Sequence, residues 1–306
     1  MIFHGALEQQ PPVNLFGEAV RERTILVFHD ESGDYGRDGW VFTGLLWLNE
    51  ERVGELDKAL KLARGDYQGE IHFADLPASF RGDFAADARV AREWMTTFKA
   101  QWAYGSWFNV LAVDRRHPAY EHRRFTRDFH AYNRFTAMAI KGGLAWHFRD
   151  VPSLQLRVFS DEKSRRPQGL LGDGVTTDNF EQYLETQLLE ATHKYKGPSV
   201  KLAEPVNCLG CPQTGPFGAE HEVLQLVDLL LGSVATAVEP RSNRLTKLWF
   251  GREISGLIRD TRLEPWRQRY GLHRRFSVSY FPDHQGRVHA EGQLRVDAGE
   301  NQMRLF

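Results

Sequence analysis

The chain has 306 residues and a formal net charge of -1, with 42% hydrophobic, 26% charged and 12% aromatic residues. That balance excludes a disordered, collagenous or membrane-embedded chain and allows a sizeable core, while the near-zero charge means that nucleic-acid binding would have to come from a local patch. Two cysteines, Cys208 and Cys211, are too few for a disulfide framework, and the N-terminal residues show no basic start followed by an apolar run, so a cytoplasmic protein without a membrane span is expected.

Residues 1–23 carry Pro11 and Pro12 and no sustained period, and are expected to form an arm. Ile25-Leu26-Val27-Phe28 is a β-branched and aromatic run that stops at His29-Asp30-Glu31-Ser32-Gly33-Asp34, the pattern of a strand buried on both faces and ending in a polar turn. Trp40–Leu48 reads as a second strand, joined to the first as an antiparallel hairpin with a wide turn. Val53, Leu56 and Leu60 predict a helix over Glu50–Arg64, followed by a short extended piece at Glu70–Phe73. A helix over Ala85–Trp102, a strand over Tyr104–Val113, a helix over Tyr120–Phe148 and a strand over Leu154–Phe159 come next. Asp178 and Glu181 resemble a capping box opening a helix lined by Phe180, Tyr183, Leu184 and Leu188. Beyond Val200–Val206 and a Gly/Pro loop lie an almost wholly apolar helix, His221–Val238, and a late strand, Phe276–Phe281, before a polar tail at 282–306. No internal repeat or linker divides residues 24–281, which read as a single α/β domain with insertions.

Asp228 is the most informative residue, because Leu224-Gln225-Leu226-Val227-Asp228-Leu229-Leu230-Leu231-Gly232 is apolar nearly all round. A carboxylate buried there is costly unless it is paired, protonated, hydrogen-bonded or bound to a metal. Gln225 one turn before it and Gly232 one turn after make a polar and then bare strip, along which another group can approach closely. A plain structural role, capping a neighbouring loop or pairing with an arginine, accounts for Asp228 equally well. Asp30 and Asp161 each stand where an apolar strand ends; either alone reads as a turn aspartate, yet acids at neighbouring strand ends can share one crevice. Two carboxylates ~4–5 Å apart repel by roughly 3–4 kcal/mol at an effective dielectric of 20, and a divalent ion reverses that sign. Oxygen donors of this kind suit Mg²⁺ or Mn²⁺.

The His29-Asp30-Glu31-Ser32-Gly33-Asp34 turn, Glu70-Ile71-His72-Phe73-Ala74-Asp75-Leu76, the strand-ending Asp161 and the Leu224–Gly232 helix together resemble the domain of unknown function 3800 family, over roughly Thr24 to Val238. That family is similar to the ribonuclease H-like superfamily, with a mixed sheet flanked by helices and metal-binding acids on the first strand, a later strand and a closing helix. The resemblance implies a ribonuclease H-like α/β domain over 24–281 and a metal-dependent nuclease. Carried over, Asp30, Asp161 and Asp228 become the acids that hold Mg²⁺ or Mn²⁺, with Glu70 as a fourth catalytic candidate. The resemblance also admits a protein partner in a defence or mobile-element system.

Glu31 and His72 are candidate substrate contacts, although a strand's alternation would turn Glu31 to the other face and His72 reads equally as a structural histidine. Arg115, Arg116, Arg123 and Arg124, with Phe125 and Phe129 interleaved, suit a nucleic-acid track of either DNA or RNA, and suit a solvated helix face as well. A second basic group, Arg262 to Arg275, is equally ambiguous. Cys208 and Cys211 form a CxxC with no second pair to complete a zinc site, so two reduced loop thiols are the plainer reading. Ser32 stands where a haloacid-dehalogenase-like phosphatase needs a second aspartate. A non-catalytic nucleic-acid-binding or scaffolding subunit remains the alternative, and no heptad pattern fixes an oligomeric state.

Overall fold

The computed structural model describes residues 23–35, 38–102, 105–120, 125, 128–161, 179–189, 197–210, 212, 214–263 and 275–283, with the backbone alone at 102, 128 and 259–263. Strand β1 (Thr24–Ser32) is buried without a break from Ile25 to Asp30, because it runs inside a sheet with a neighbour on each side. It pairs antiparallel with β2 (Trp40–Asn49), from Ile25 opposite Asn49 to Ser32 opposite Phe42, which is the hairpin that the sequence predicts. β2 in turn pairs antiparallel with β3 (Ser106–Asp114).

On the other side of β1 lies β4 (Ser153–Asp161), parallel to it, and β4 pairs with the short parallel strands β5 (Ser199–Leu202) and β6 (Asn207–Leu209). β7 (Phe276–Phe281) closes the far edge, parallel to β3. The result is a mixed sheet of seven strands in the order β5-β4-β1-β2-β3-β7, with β6 also on β4.

Alternation along the strands divides the core in two. Leu26, Phe28, Leu46, Phe108, Val110 and Phe159 pack beneath α1 (Glu50–Arg64), α2 (Ala86–Thr97), α5 (Ala219–Val238) and α6 (Leu245–Leu263). Ile25, Val27, Leu45, Leu111, Leu156 and Val158 pack beneath α3 (Asp128–His147) and α4 (Phe180–Leu189). Helix α5 is long and apolar enough to cross a membrane by length and composition, but 72% of its apolar window is buried inside this fold. It comes down closely on β2 because Gly44 has no side chain: a Cβ there would stand 3.0 Å from Leu231 Cδ1.

Several expectations change. Glu70–Phe73 joins no strand; His72 is extended, and the chain then closes into a 3₁₀ turn at Phe73–Asp75 laid against α5. Tyr120 and Phe125 are not helical where a helix is expected, the described helix runs over Asp128–His147, and Arg115 and Arg116 fall in the turns after β3 rather than on a helix face. α2 ends in a widened π turn over Phe98–Trp102. Helix α6 and the short strands β5 and β6 were not anticipated as elements. Tyr104, Asp178, Cys211, Arg123 and Arg124 lie outside the described residues, while Cys208 is half-buried on β6.

Candidate functional site

The site grows out of the alternation of two parallel neighbours. Leu26, Phe28 and Asp30 point to the α5 side of β1, and Phe159 and Asp161 to the same side of β4. The paired register ends at His29 opposite Ser160, so Asp30 and Asp161 are the next positions along one sheet edge. Just below them Phe28 and Phe159 stack with ring centres 5.2 Å apart, an apolar floor that keeps water from the buried side of the acids.

Asp228 arrives from above on α5, in the polar strip that the sequence outlines. Gln225 Oε1 accepts the Ile71 N–H at 2.8 Å, Asp228 Oδ2 accepts the Phe73 N–H at 2.6 Å, and the Phe73 ring fills the space that a Cβ on Gly232 would occupy. The strip therefore stitches residues 71–73 along α5, which is the loop-capping role for Asp228. Its other oxygen faces His72, with Nε2 3.9 Å from Oδ1. His72 Nδ1 lies 3.1 Å from Asp75 Oδ2, and the imidazole is about half exposed.

Electrostatics separates these acids from ordinary turn residues. Burial, then the charges of Asp228, Glu31 and Asp161, push Asp30 well above the usual carboxylate range; the Glu31 N–H, donated to Asp30 Oδ1 at 2.7 Å, only partly opposes them. Among the described residues no lysine or arginine forms an ion pair with Asp30. Burial also raises Asp228, against the lowering effects of His72 and the Phe73 N–H and with help from Glu70 and Asp75. For His72, burial works to lower the pKa, and the charges of Asp228, Asp75 and Glu70 outweigh it, so the net shift is upward. Glu70 is therefore close enough to act on both groups without touching either.

Glu31 turns to the opposite face, as alternation demands, where its charge reaches Tyr35 and Tyr132. Arg115 and Arg116 follow β3 at the same sheet edge as Asp30, but both are engaged. Arg115 donates to the Asp38 carbonyl at 2.8 Å and lies over Tyr120; Arg116 contacts Asp114 and Glu239, each at 3.3 Å, and lies over Trp40.

Two features escaped sequence reasoning. Lys247 on α6 donates to the Ala74 carbonyl at 2.8 Å and lies over Phe73; burial and Arg244 lower its pKa against the opposing charges of Asp75 and Asp228, and it borders the site. Deeper in the same face, the Arg64 guanidinium grips Glu222 through bonds of 3.0, 3.3 and 2.8 Å, reaches Gln225 at 2.9 Å and lies over Trp94 and Phe217. Residues 64 and 222 are 158 positions apart, so no local pattern could join them.

As they stand, no three His, Cys, Asp or Glu side chains among the described residues enclose a metal position. The donor chemistry nevertheless fits a hard divalent cation: Asp30, Asp161 and Asp228 offer only oxygen, and Asp30 is raised by burial and by its like-charged neighbours. No protein-family model matches the chain, and no curated protein matches it.

Proposed function

We propose that this protein is a metal-dependent nuclease, hydrolysing phosphodiester bonds of nucleic acid with Asp30, Asp161 and Asp228 as the ligands of Mg²⁺ or Mn²⁺ and Glu70 beside them. The observation that carries this reading is the placement of Asp30, buried and without a described cationic partner, beside Asp161 at the ends of two parallel neighbouring strands, with Asp228 of α5 near enough for its charge to act on Asp30. Burying like charges together is costly, and stability alone offers no reason for it. The ribonuclease H-like reading and the resemblance to the domain of unknown function 3800 family are supported by the same features: a mixed sheet with acids on the first strand, on a later strand and on a buried helix.

A bound divalent ion would let these acids remain ionised together and would polarise the phosphoryl oxygens. The chain's own residues do the rest. The Phe73 N–H fixes Asp228, and Gln225 and Gly232 hold the 71–73 segment against it. His72, half exposed and raised by its acidic neighbours against the effect of burial, stands beside Asp228 where it could orient a phosphate or a water. The Phe28 and Phe159 floor excludes water from beneath.

Two observations favour the second reading, a non-catalytic nucleic-acid-binding or scaffolding subunit: Asp228 already has a structural task, capping Phe73, and the described acids do not close around a metal position as they stand. The experiment that separates the two is cleavage of labelled single- and double-stranded DNA and RNA in EDTA, Mg²⁺ or Mn²⁺, beside Mn²⁺ calorimetry on the wild type and Asp30→Asn. Metal-dependent cleavage and Mn²⁺ binding, both lost in Asp30→Asn, support the nuclease. A folded wild type that binds no Mn²⁺ and cuts nothing leaves the scaffold.

A further inference from the structure

Three arginines meet at the end of the sheet opposite the acids. Arg23 precedes β1, Arg275 precedes β7, and Arg52 lies in the first turn of α1. The Arg275 and Arg23 guanidiniums stand 4.6 and 5.4 Å from the centre of the same Trp107 ring. The Arg52 guanidinium occupies the space where a Cβ on Gly105 would be, two residues before that tryptophan. Arg23 donates to Asn49 Oδ1 at 2.8 Å and Arg275 to the Ser106 carbonyl at 3.1 Å, both neutral acceptors.

Among the described residues, the acids that act on the cluster are Glu51, through its charge on Arg23, and Glu55, 65% exposed and 3.7 Å from Arg52 Nε. Burial, then Arg23 and Arg52, bring Arg275 down to about 10, the mark of like charges gathered in a half-buried place. Guanidinium forks match the oxygens of a phosphate in pairs, and an anion among three of them turns repulsion into attraction.

We propose that Arg23 and Arg275, over Trp107, and Arg52, against Gly105, form a phosphate-binding site. From Arg23 to Asp30 the strand runs about 23 Å at ~3.3 Å per residue, and Arg23 and Trp107 lie on the α3 side of the sheet rather than the α5 side. The site is therefore separate from the acids and does not depend on the nuclease reading. Its phosphate could belong to a nucleic-acid backbone or to a small phosphate ion, and two probes tell these apart.

The test uses the full chain in EDTA at constant ionic strength, with inorganic phosphate followed by calorimetry and a labelled single-stranded oligodeoxynucleotide followed by anisotropy. The variants are Arg23→Gln, Arg52→Gln and Gly105→Ala, each required to melt as the wild type does. Gly105→Ala removes no charge and displaces only the flexible end of Arg52. All three variants are expected to weaken binding about tenfold or more, the loss of a charge-assisted hydrogen bond. If the oligonucleotide is affected and phosphate competes with it, the backbone is the source; if phosphate alone is affected, a small phosphate is. Failure of both probes to bind the wild type overturns the site. So does weakening by the two arginine variants without weakening by Gly105→Ala, because bulk charge would then be the cause.

Discussion

The two faces of β1 and β4 bury polar side chains at the same level and treat them in opposite ways. On the α3 side His29 is fully buried; its Nδ1 lies 2.8 Å from Ser160 Oγ and its Nε2 3.4 Å from Thr136 Oγ1, with Tyr132 and Phe180 packed against the ring. One residue further along each strand, on the α5 side, stand Asp30 and Asp161; burial raises Asp30, and the charges of Asp228, Glu31 and Asp161 raise it further. A neutral polar group buried with its partners is a structural device; a buried carboxylate held among carboxylates is a liability unless something binds it. Neighbouring positions of one strand pair thus separate architecture from a candidate site.

The largest expected effect tests that separation directly. Asp30→Asn and Asp228→Asn should each lower Mn²⁺-dependent cleavage by about 10³-fold, equivalent to roughly 4 kcal/mol of charge stabilisation. Both variants should remain folded. In Asp228→Asn the new amide oxygen can still accept the Phe73 N–H, and Asp30→Asn no longer places a charge among charges. His29→Ala should act with the opposite emphasis, losing about 2–4 kcal/mol of stability in urea unfolding because it opens a cavity and removes the buried hydrogen bond between His29 and Ser160. A cleavage loss in Asp30→Asn that merely tracked unfolding would collapse the distinction between the faces.

Arg64 asks whether burial or lack of pairing is what marks the acids. Glu222 is as buried as Asp30, yet it has a guanidinium on it. Arg64→Ala should cost about 3–5 kcal/mol by chemical denaturation, since it leaves Glu222 uncompensated, whereas Arg64→Met with Glu222→Leu should recover most of that loss. Smaller again is Gly232→Ala. Its Cβ would strike the Phe73 ring, so about 1–3 kcal/mol should be lost by the same assay, together with part of the Mn²⁺ affinity as the 71–73 segment shifts on Asp228.

How far these features were legible in the sequence follows from the range of the interactions that make them. The β1–β2 hairpin, β7 and α5 are written in local runs of apolar residues, and Asp30, Asp161 and Asp228 stand out because each interrupts or ends such a run. The Gln225, Asp228 and Gly232 strip was readable as a docking line, though not its occupant, since Ile71 and Phe73 come from more than 150 positions away. Helix α6 was not readable: Gly251, Ser255 and Gly256 interrupt its apolar positions, and its helicity is completed by burying Phe250, Ile254 and Ile258 in the core beside α5. Lys247 was lost with it. β5 and β6 have four and three residues and take their shape from pairing with β4, which leaves little local signal.

The smallest effect is the most specific to the acid face, because it concerns protons. An aspartate whose folded pKa lies above its unfolded value, about 3.9, holds its proton longer in the native state than in the unfolded chain. Below that value both states are protonated and the group contributes nothing. As pH rises from there through the raised native pKa, the unfolded chain ionises first, so the native state loses stability. For Asp30, raised by burial and by Asp228, Glu31 and Asp161, the penalty should be fully developed once pH exceeds its native pKa. In EDTA the melting temperature of Asp30→Asn should therefore meet that of the wild type near the unfolded pKa and rise above it increasingly toward neutral pH. Saturating Mn²⁺ should remove the advantage by stabilising the wild type alone. An advantage independent of pH would mean that Asp30 is not among charges at all, and a gap that Mn²⁺ leaves open would mean that the charges are not there to hold a cation.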